Sequence, residues 1–213
     1  MQSERALEEV LDDIRYGAIS ESVVETLKQA IKSVNAFDRM PILKKNTPFG
    51  TILHHFSGLG CTAAVECIIT SVPKRWLLSF YSMINEYGAT CLHCAFSGSG
   101  DENIVKMVLC SIEYCDRLEL LSIQDCMKNT ALHIAAEKGK AKSIHLALSL
   151  LQPHQRTKIL SLKNLRKETV LDVKCSMEVT ATFNHFLKMS SHSSLVKCKT
   201  GRYFIPPLVE YYR

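Results

Sequence analysis

The chain has 213 residues, of which 46% are hydrophobic and 22% charged, with a net charge of +5. That is an ordinary globular composition, able to bury a sizeable core, and it excludes a disordered or collagen-like chain. Residues 1–40 hold eight acids against five bases, a net of −3, so residues 41–213 carry +8, with the bases scattered singly or in pairs.

The first segment, MQSERALEEVLDDIR, carries charges throughout and lacks the apolar core of a secretory signal. No apolar run approaches the ~18–20 residues of a membrane span, so no such span is expected. Residues 4–16 place Ala6, Leu7, Val10, Leu11 and Ile14 on one helical stripe, and Gly17 fits a stop. Ser22 with Glu25 reads as a capping box, and Val23, Val24, Leu27, Ile31 and Val34 line a second helix. The expectation for residues 1–40 is an N-terminal helical cap.

From residue 41 a pattern recurs. FGTILHHFSGLG surrounds Thr51, YGATCLHCAFSGSG surrounds Thr90, KNTALHIAAEKG surrounds Thr130, and KETVLDVKC surrounds Thr169, at separations of 39, 40 and 39 residues. Each copy reads Thr-x-Leu-His, with Asp172 in place of the last His. Five residues before each Thr stands Asn46, Asn85, Asp125 or Asn164; Ser82, Ser122 and Ser161 precede the last three by eight. Thr suits a helix start, where its hydroxyl can accept from an orphan backbone N–H, and the His can bond back to it. Leu53, Leu92, Leu132 and Leu171 then point inward. Gly139 fits the left-handed turn that ends a first helix. Apolar residues at helical spacing follow: Val65 with Ile68 and Ile69, Ile104 and Val105 with Val108 and Leu109, Ile144 with Ala147 and Leu148.

This pattern resembles the ankyrin repeat, over about residues 46–190, with signatures at 50–60, 89–100, 129–139 and 168–175. The resemblance implies an all-α solenoid of stacked helix-turn-helix units with projecting hairpin fingers, occupying residues 41–190. Ankyrin repeats usually run to ~33 residues, so the longer period implies a lengthened outer helix or a longer connection into the next finger. Ala135 and Ala136 allow close helix approach in the third copy. Departures are clear: none of the copies has Pro after Thr, Phe56 and Ser57 stand where the Ala pair belongs, FSGSG adds a residue before Gly100, and the fourth copy lacks the Gly.

The repeat also accounts for Cys91, His93 and Cys94, which otherwise look like a zinc or dithiol motif. His93 holds the same slot as His54 and His133, which no cysteines flank, and no second ligand pair has zinc-site spacing. The nine cysteines are odd in number and irregularly spaced, which fits reduced thiols in an intracellular, cytoplasmic protein. The segment EVTATFNHFLKM can form the outer helix of the fourth copy. Residues 191–213 then turn serine-rich and aromatic around Pro206 and Pro207, and read either as a flexible or folded-back tail or as a linear motif with Tyr203, Phe204, Tyr211 and Tyr212 as anchors.

No catalytic signature is present: no G-x-S-x-G, no phosphate-cradling glycine loop, no H-E-x-x-H. The expectation is a non-enzymatic adaptor or inhibitor without a cofactor, binding a protein partner. The resemblance places partner contacts on the finger residues Phe49, Glu86, Tyr87, Met127, Lys128, Arg166 and Lys167. On the concave helix face it places His55, Cys94, Ser97, Ile134, Glu137 and Lys138. Phe49, Tyr87 and Arg166 are the expected hot spots, because aromatic and Arg residues dominate interface energies. The rival reading, motivated by the +8 over residues 41–213, is a nucleic-acid-associated regulator.

Overall fold

The computed structural model describes residues 8–9, 21–47, 49–99, 101–190, 196–197 and 203–204. Among them are twelve α-helices, and the fold is all-helical apart from one pair of two-residue strands. Two helices lead: α1 (Glu21–Ser33) and α2 (Ala36–Leu43). The Thr51 unit contributes α3 (Ile52–Leu59), α4 (Thr62–Ser71), a 3-10 turn (Lys74–Trp76) and α5 (Leu77–Tyr81). The Thr90 unit contributes α6 (Cys91–Ser97), α7 (Glu102–Ser111) and α8 (Asp116–Ser122). The Thr130 unit contributes α9 (Ala131–Glu137), α10 (Ala141–Ser149) and α11 (Pro153–Ser161). After Thr169 only α12 (Met177–Ser190) follows. Strands β1 (Val196–Lys197) and β2 (Tyr203–Phe204) pair antiparallel.

Three rows of helices result. The first helices α3, α6 and α9 pack successively, as do the second helices α1, α4, α7, α10 and α12, and the short third helices α5, α8 and α11. The core runs through all three rows. Leu53, Leu92 and Leu132 are fully buried, as are the second-helix residues Val65, Ile68, Ile104, Val105, Val108, Leu109, Ile144, Ala147 and Leu148. Val24, Leu27 and Ile31 form the buried inner stripe of α1, which packs against α4, and Val34 is buried just past its end. α1 therefore takes a second-helix place and α2 a third-helix place. The expected boundary after residue 40 falls inside α2.

Each of α3, α6 and α9 begins at its Thr. Thr51, Thr90 and Thr130 sit in extended backbone at the N-cap, each in a reciprocal capping box with the His three residues on. Gly139 adopts φ +70 after α9, and Lys140 N–H then bonds back to Ala135 O at 2.9 Å, the left-handed stop expected there.

Two expectations are corrected and a third is specified. The surplus residues of the long period lie in the connection into the next finger, one of the two expected alternatives, and fold there as the separate third helices α5, α8 and α11. These are short, and their apolar faces are too brief to show a period. Ser22 is not a cap, because α1 is already under way at Glu21. The fourth copy forms no first helix, only a turn at Val170–Asp172. The expected helix over 4–16 lies outside the described residues, save Glu8 and Glu9, which are helical. Gly17 and Gly100 lie outside them too, as does most of the 191–213 tail.

Candidate finger-tip interface

The fingers precede each Thr, and their Asn or Asp explains how they turn. Asn85 Oδ1 accepts from Tyr87 N–H and Ala89 N–H, both at 3.0 Å. Asp125 Oδ1 does the same for Met127 and Asn129 at 2.8 Å. Asn164 Oδ1 accepts from Arg166 at 2.9 Å and Glu168 at 3.0 Å. A short side-chain acceptor placed two and four residues upstream organises the loop in place of backbone. Each of these turns closes through a left-handed residue: Gly88 (φ +71), Lys128 (φ +56) and Lys167 (φ +60). At Gly88 a Cβ would also come within 3.0 Å of Cys126 N, on the next finger. Asn46 departs from its siblings. It donates through Nδ2 to Ile84 O at 2.9 Å, so it ties its finger to the following one.

Two backbone bonds further lock the second finger to the third and the third to the fourth. Cys126 N–H donates to Tyr87 O at 2.8 Å, and Leu165 N–H donates to Met127 O at 3.0 Å. The histidines supply the other lock. His54 Nδ1 accepts from Thr51 N–H at 3.1 Å and contacts Thr51 Oγ1 at 2.9 Å; His93 and His133 repeat this with Thr90 and Thr130. With Nδ1 accepting, Nε2 carries the proton and donates to the next finger. His54 reaches Met83 O and Ala89 O at 3.0 and 3.1 Å, His93 reaches Asn129 O at 3.1 Å, and His133 reaches Glu168 O at 3.2 Å. Burial lowers the pKa of all three rings, against the opposing pull of those carbonyls. The neutral tautomer is the one this geometry uses.

His93 thus has both ring nitrogens engaged. Cys91 is buried with its Sγ 4.0 Å from Tyr81 O, and burial raises its pKa; burial likewise pushes the Cys94 thiol up to about 11. Burial thus disfavours the free thiolate, the reactive form in thiol exchange, at both sulfurs. Among the described residues no group of three or more His, Cys, Asp or Glu side chains could hold a metal ion.

The frame presents apolar side chains to solvent at the tips. Phe49 is 70% exposed, Tyr87 56% and Met127 52%, one from each of three successive fingers. Glu86, Lys128, Arg166 and Lys167 are also exposed. Glu86 beside Tyr87 raises the phenol's pKa, and Arg166 Nε pairs with Glu168 Oε2 at 2.9 Å on its own finger. The helix-face residues fall at equivalent places on neighbouring first helices. His55, Cys94 and Ile134 are half-buried on α3, α6 and α9, while Ser97, Glu137 and Lys138 are exposed at the helix ends.

Two features escaped sequence reasoning. Leu165, 52% exposed, supplies the apolar tip of the fourth finger, one place before the expected Arg166. A set of arginines also braces the third-helix row. Arg117 Nε donates to Leu109 O at 2.8 Å and its Nη1 to Leu150 O at 3.1 Å, joining the C-terminal ends of α7 and α10. Arg156 Nε donates to Leu148 O at 2.7 Å. Arg39 spans Val34 O and Ser71 O, at the ends of α1 and α4. A guanidinium at a helix C-terminus satisfies orphan carbonyls and opposes the dipole. The signal was in the chain: Arg39, Arg117 and Arg156 lie on a 39-residue interval, broken only by Leu78.

No family model matches this sequence, and no curated protein is similar to it at a significant level. No described helix is long and apolar enough to cross a membrane.

Proposed function

We propose that the chain is an ankyrin-type repeat protein, a non-enzymatic intracellular adaptor or inhibitor that grips a partner protein along its finger tips and the adjoining first-helix face. The observation that carries this reading is the exposed row Phe49, Tyr87 and Met127 on fingers tied together by hydrogen bonds, through Asn46 and His54 between the first two and through Cys126 N–H and Tyr87 O between the next two. Apolar rings left in solvent gain about 25 cal/mol per Å2 when a partner covers them. A frame already locked by His54, His93 and His133 loses little further freedom on binding, which favours affinity. Arg166 contributes less than its residue type suggests, because Glu168 already occupies its guanidinium.

The test is affinity capture followed by mass spectrometry, comparing the wild type with a Phe49→Ala, Tyr87→Ala, Met127→Ala, Leu165→Ala variant of matched melting temperature. Partners retained by the wild type and lost from the variant are the expected result. An unchanged set of partners would sink the finger-tip interface. Capture of nuclease-sensitive material, with affinity falling steeply as salt rises, would favour the nucleic-acid reading instead.

A further inference from the structure

A cleft of about 220 Å3 opens between α2 and the 3-10 turn Lys74–Trp76. Its apolar lining is Phe37, Met40, Pro41, Pro73 and Trp76. Phe37 is 82% exposed and Trp76 40%, so two aromatic rings 39 residues apart stand at the same place in consecutive repeats and remain uncovered by the described chain. None of these residues belongs to a finger. The remaining lining residues are Lys44 and Arg75. Lys44 Nζ lies 4.6 Å from the centre of the Trp76 ring and 3.4 Å from Ser79 Oγ. Among the described residues neither Lys44 nor Arg75 pairs with a carboxylate.

The equivalent cleft one repeat further on shows what is missing here. There Lys74, Arg75 and Leu78 face Ser111, Ile112, Glu113 and Asp116. Two cations and two carboxylates line that cleft, and it carries no aromatic ring. The first cleft has two cations and no carboxylate in its own, more apolar lining; Arg75 is shared with the second cleft, which leaves Lys44 as the cation that meets no carboxylate in either. The volume of the first cleft sets the scale of the occupant: it falls below the ~300–1,000 Å3 of a small-molecule or cofactor pocket, and suits one or two side chains.

We propose that this cleft is a second docking site, separate from the finger tips, for an acidic linear segment of a partner protein that inserts one bulky apolar side chain between Phe37 and Trp76. The anchor covers the exposed rings and supplies affinity. Carboxylates flanking it meet Lys44 and Arg75, which sets orientation and association rate. Two sites at different places on one chain are what an adaptor needs to hold two partners at once.

Trp76 is the only tryptophan of the chain, so its emission reports on this cleft alone. A random dodecapeptide library displayed on phage is selected on the full chain, and in parallel on a Lys44→Glu, Arg75→Glu variant with unchanged circular dichroism. Enriched peptides are synthesised and titrated while Trp76 emission is recorded. The expected result is enrichment of net-acidic peptides with a bulky apolar residue. They should shift Trp76 emission saturably, bind the charge-reversed variant at least ~10-fold more weakly, and bind the four-tip variant as they bind wild type. The proposal is overturned if no peptide loses affinity for the charge-reversed variant. It is also overturned if the enriched peptides are basic or lack an apolar residue, or if they bind without moving the Trp76 emission. Loss of binding in the four-tip variant would assign the peptides to the fingers, which also refutes it.

Discussion

The third and fourth units carry the same threonine and nearly the same motif, yet only one builds a first helix. In the third, His133 Nδ1 receives Thr130 N–H while Nε2 reaches forward to Glu168 O. In the fourth, Asp172 Oδ2 receives Thr169 N–H at 3.0 Å and its hydroxyl at 2.7 Å, and there the reach ends. A carboxylate can only accept, so it caps; an imidazole accepts on one nitrogen and donates on the other, so it caps and bridges. Beyond Thr169 no further Thr-anchored finger follows in the described chain, and a second nitrogen would have nothing to hold. The arginines repeat the lesson. Arg117 spans two successive second helices, whereas Arg156 bonds one and lays its guanidinium over the Phe186 ring at 4.8 Å.

The sharpest way to break this comparison is to remove the two-sided residue. His93→Ala leaves Thr90 N–H buried without its side-chain partner, takes from Asn129 O one of its two donors and empties the buried ring's space, and should lower stability by roughly 3 kcal/mol in urea unfolding. The same bonds titrate. The folded-state pKa of His54, His93 and His133 is depressed, so the unfolded chain takes up protons first. Stability should therefore be full above the unfolded value of about 6.5 and fall as pH drops from there through the folded-state values. A flat midpoint between pH 7.5 and 5 would contradict the neutral state assigned to the three rings.

Next in size comes Arg117→Met, which keeps much of the stem and removes charged donors from two helix ends. A loss of about 2 kcal/mol is expected, with Arg156→Met clearly smaller because it releases one carbonyl. Equal losses from the two would mean that the forward bond to Leu150 contributes nothing. Lys128→Gly works in the opposite direction. It relieves a left-handed non-glycine residue and should stabilise by up to about 1 kcal/mol, after the entropy glycine gains in the unfolded chain. The smallest effect belongs to Asp172→His, which keeps a cap acceptor and finds no carbonyl ahead. A change within about 0.5 kcal/mol is expected in the same urea assay, and a larger gain would reveal a bridge that the fourth unit lacks.

Much of this arrangement could be read from residue order alone, and the unreadable part has a physical cause. Thr-x-Leu-His announces a cap and a buried Leu because both depend on residues within one turn. The Asn or Asp five places upstream announces a turn for the same local reason. The third helices were hidden because α5 and α8 are five and seven residues long, too short for an apolar stripe to recur. Their arginines look like ordinary surface charge until the helix ends they reach are placed beside them. Asn46 shows the converse: its position matches its siblings, but where their Oδ1 atoms organise their own loops, its bond goes to the neighbouring finger. Leu165 was passed over because Arg166 beside it is the more conspicuous interface residue.

Among the described residues, side-chain bonds between units join positions 29 to 41 apart, from His54–Met83 at the short end to Lys140–Ser99 at the long end. Every unit is therefore stapled only to its neighbour, and no such bond lets the Thr51 unit sense whether the Thr169 unit is folded. A ligand laid across Phe49, Tyr87, Met127 and Leu165 would be the first link of longer range. It would turn a row of nearest-neighbour equilibria into one cooperative body. Amide exchange that is graded from one end of the free protein to the other would become uniform in the complex.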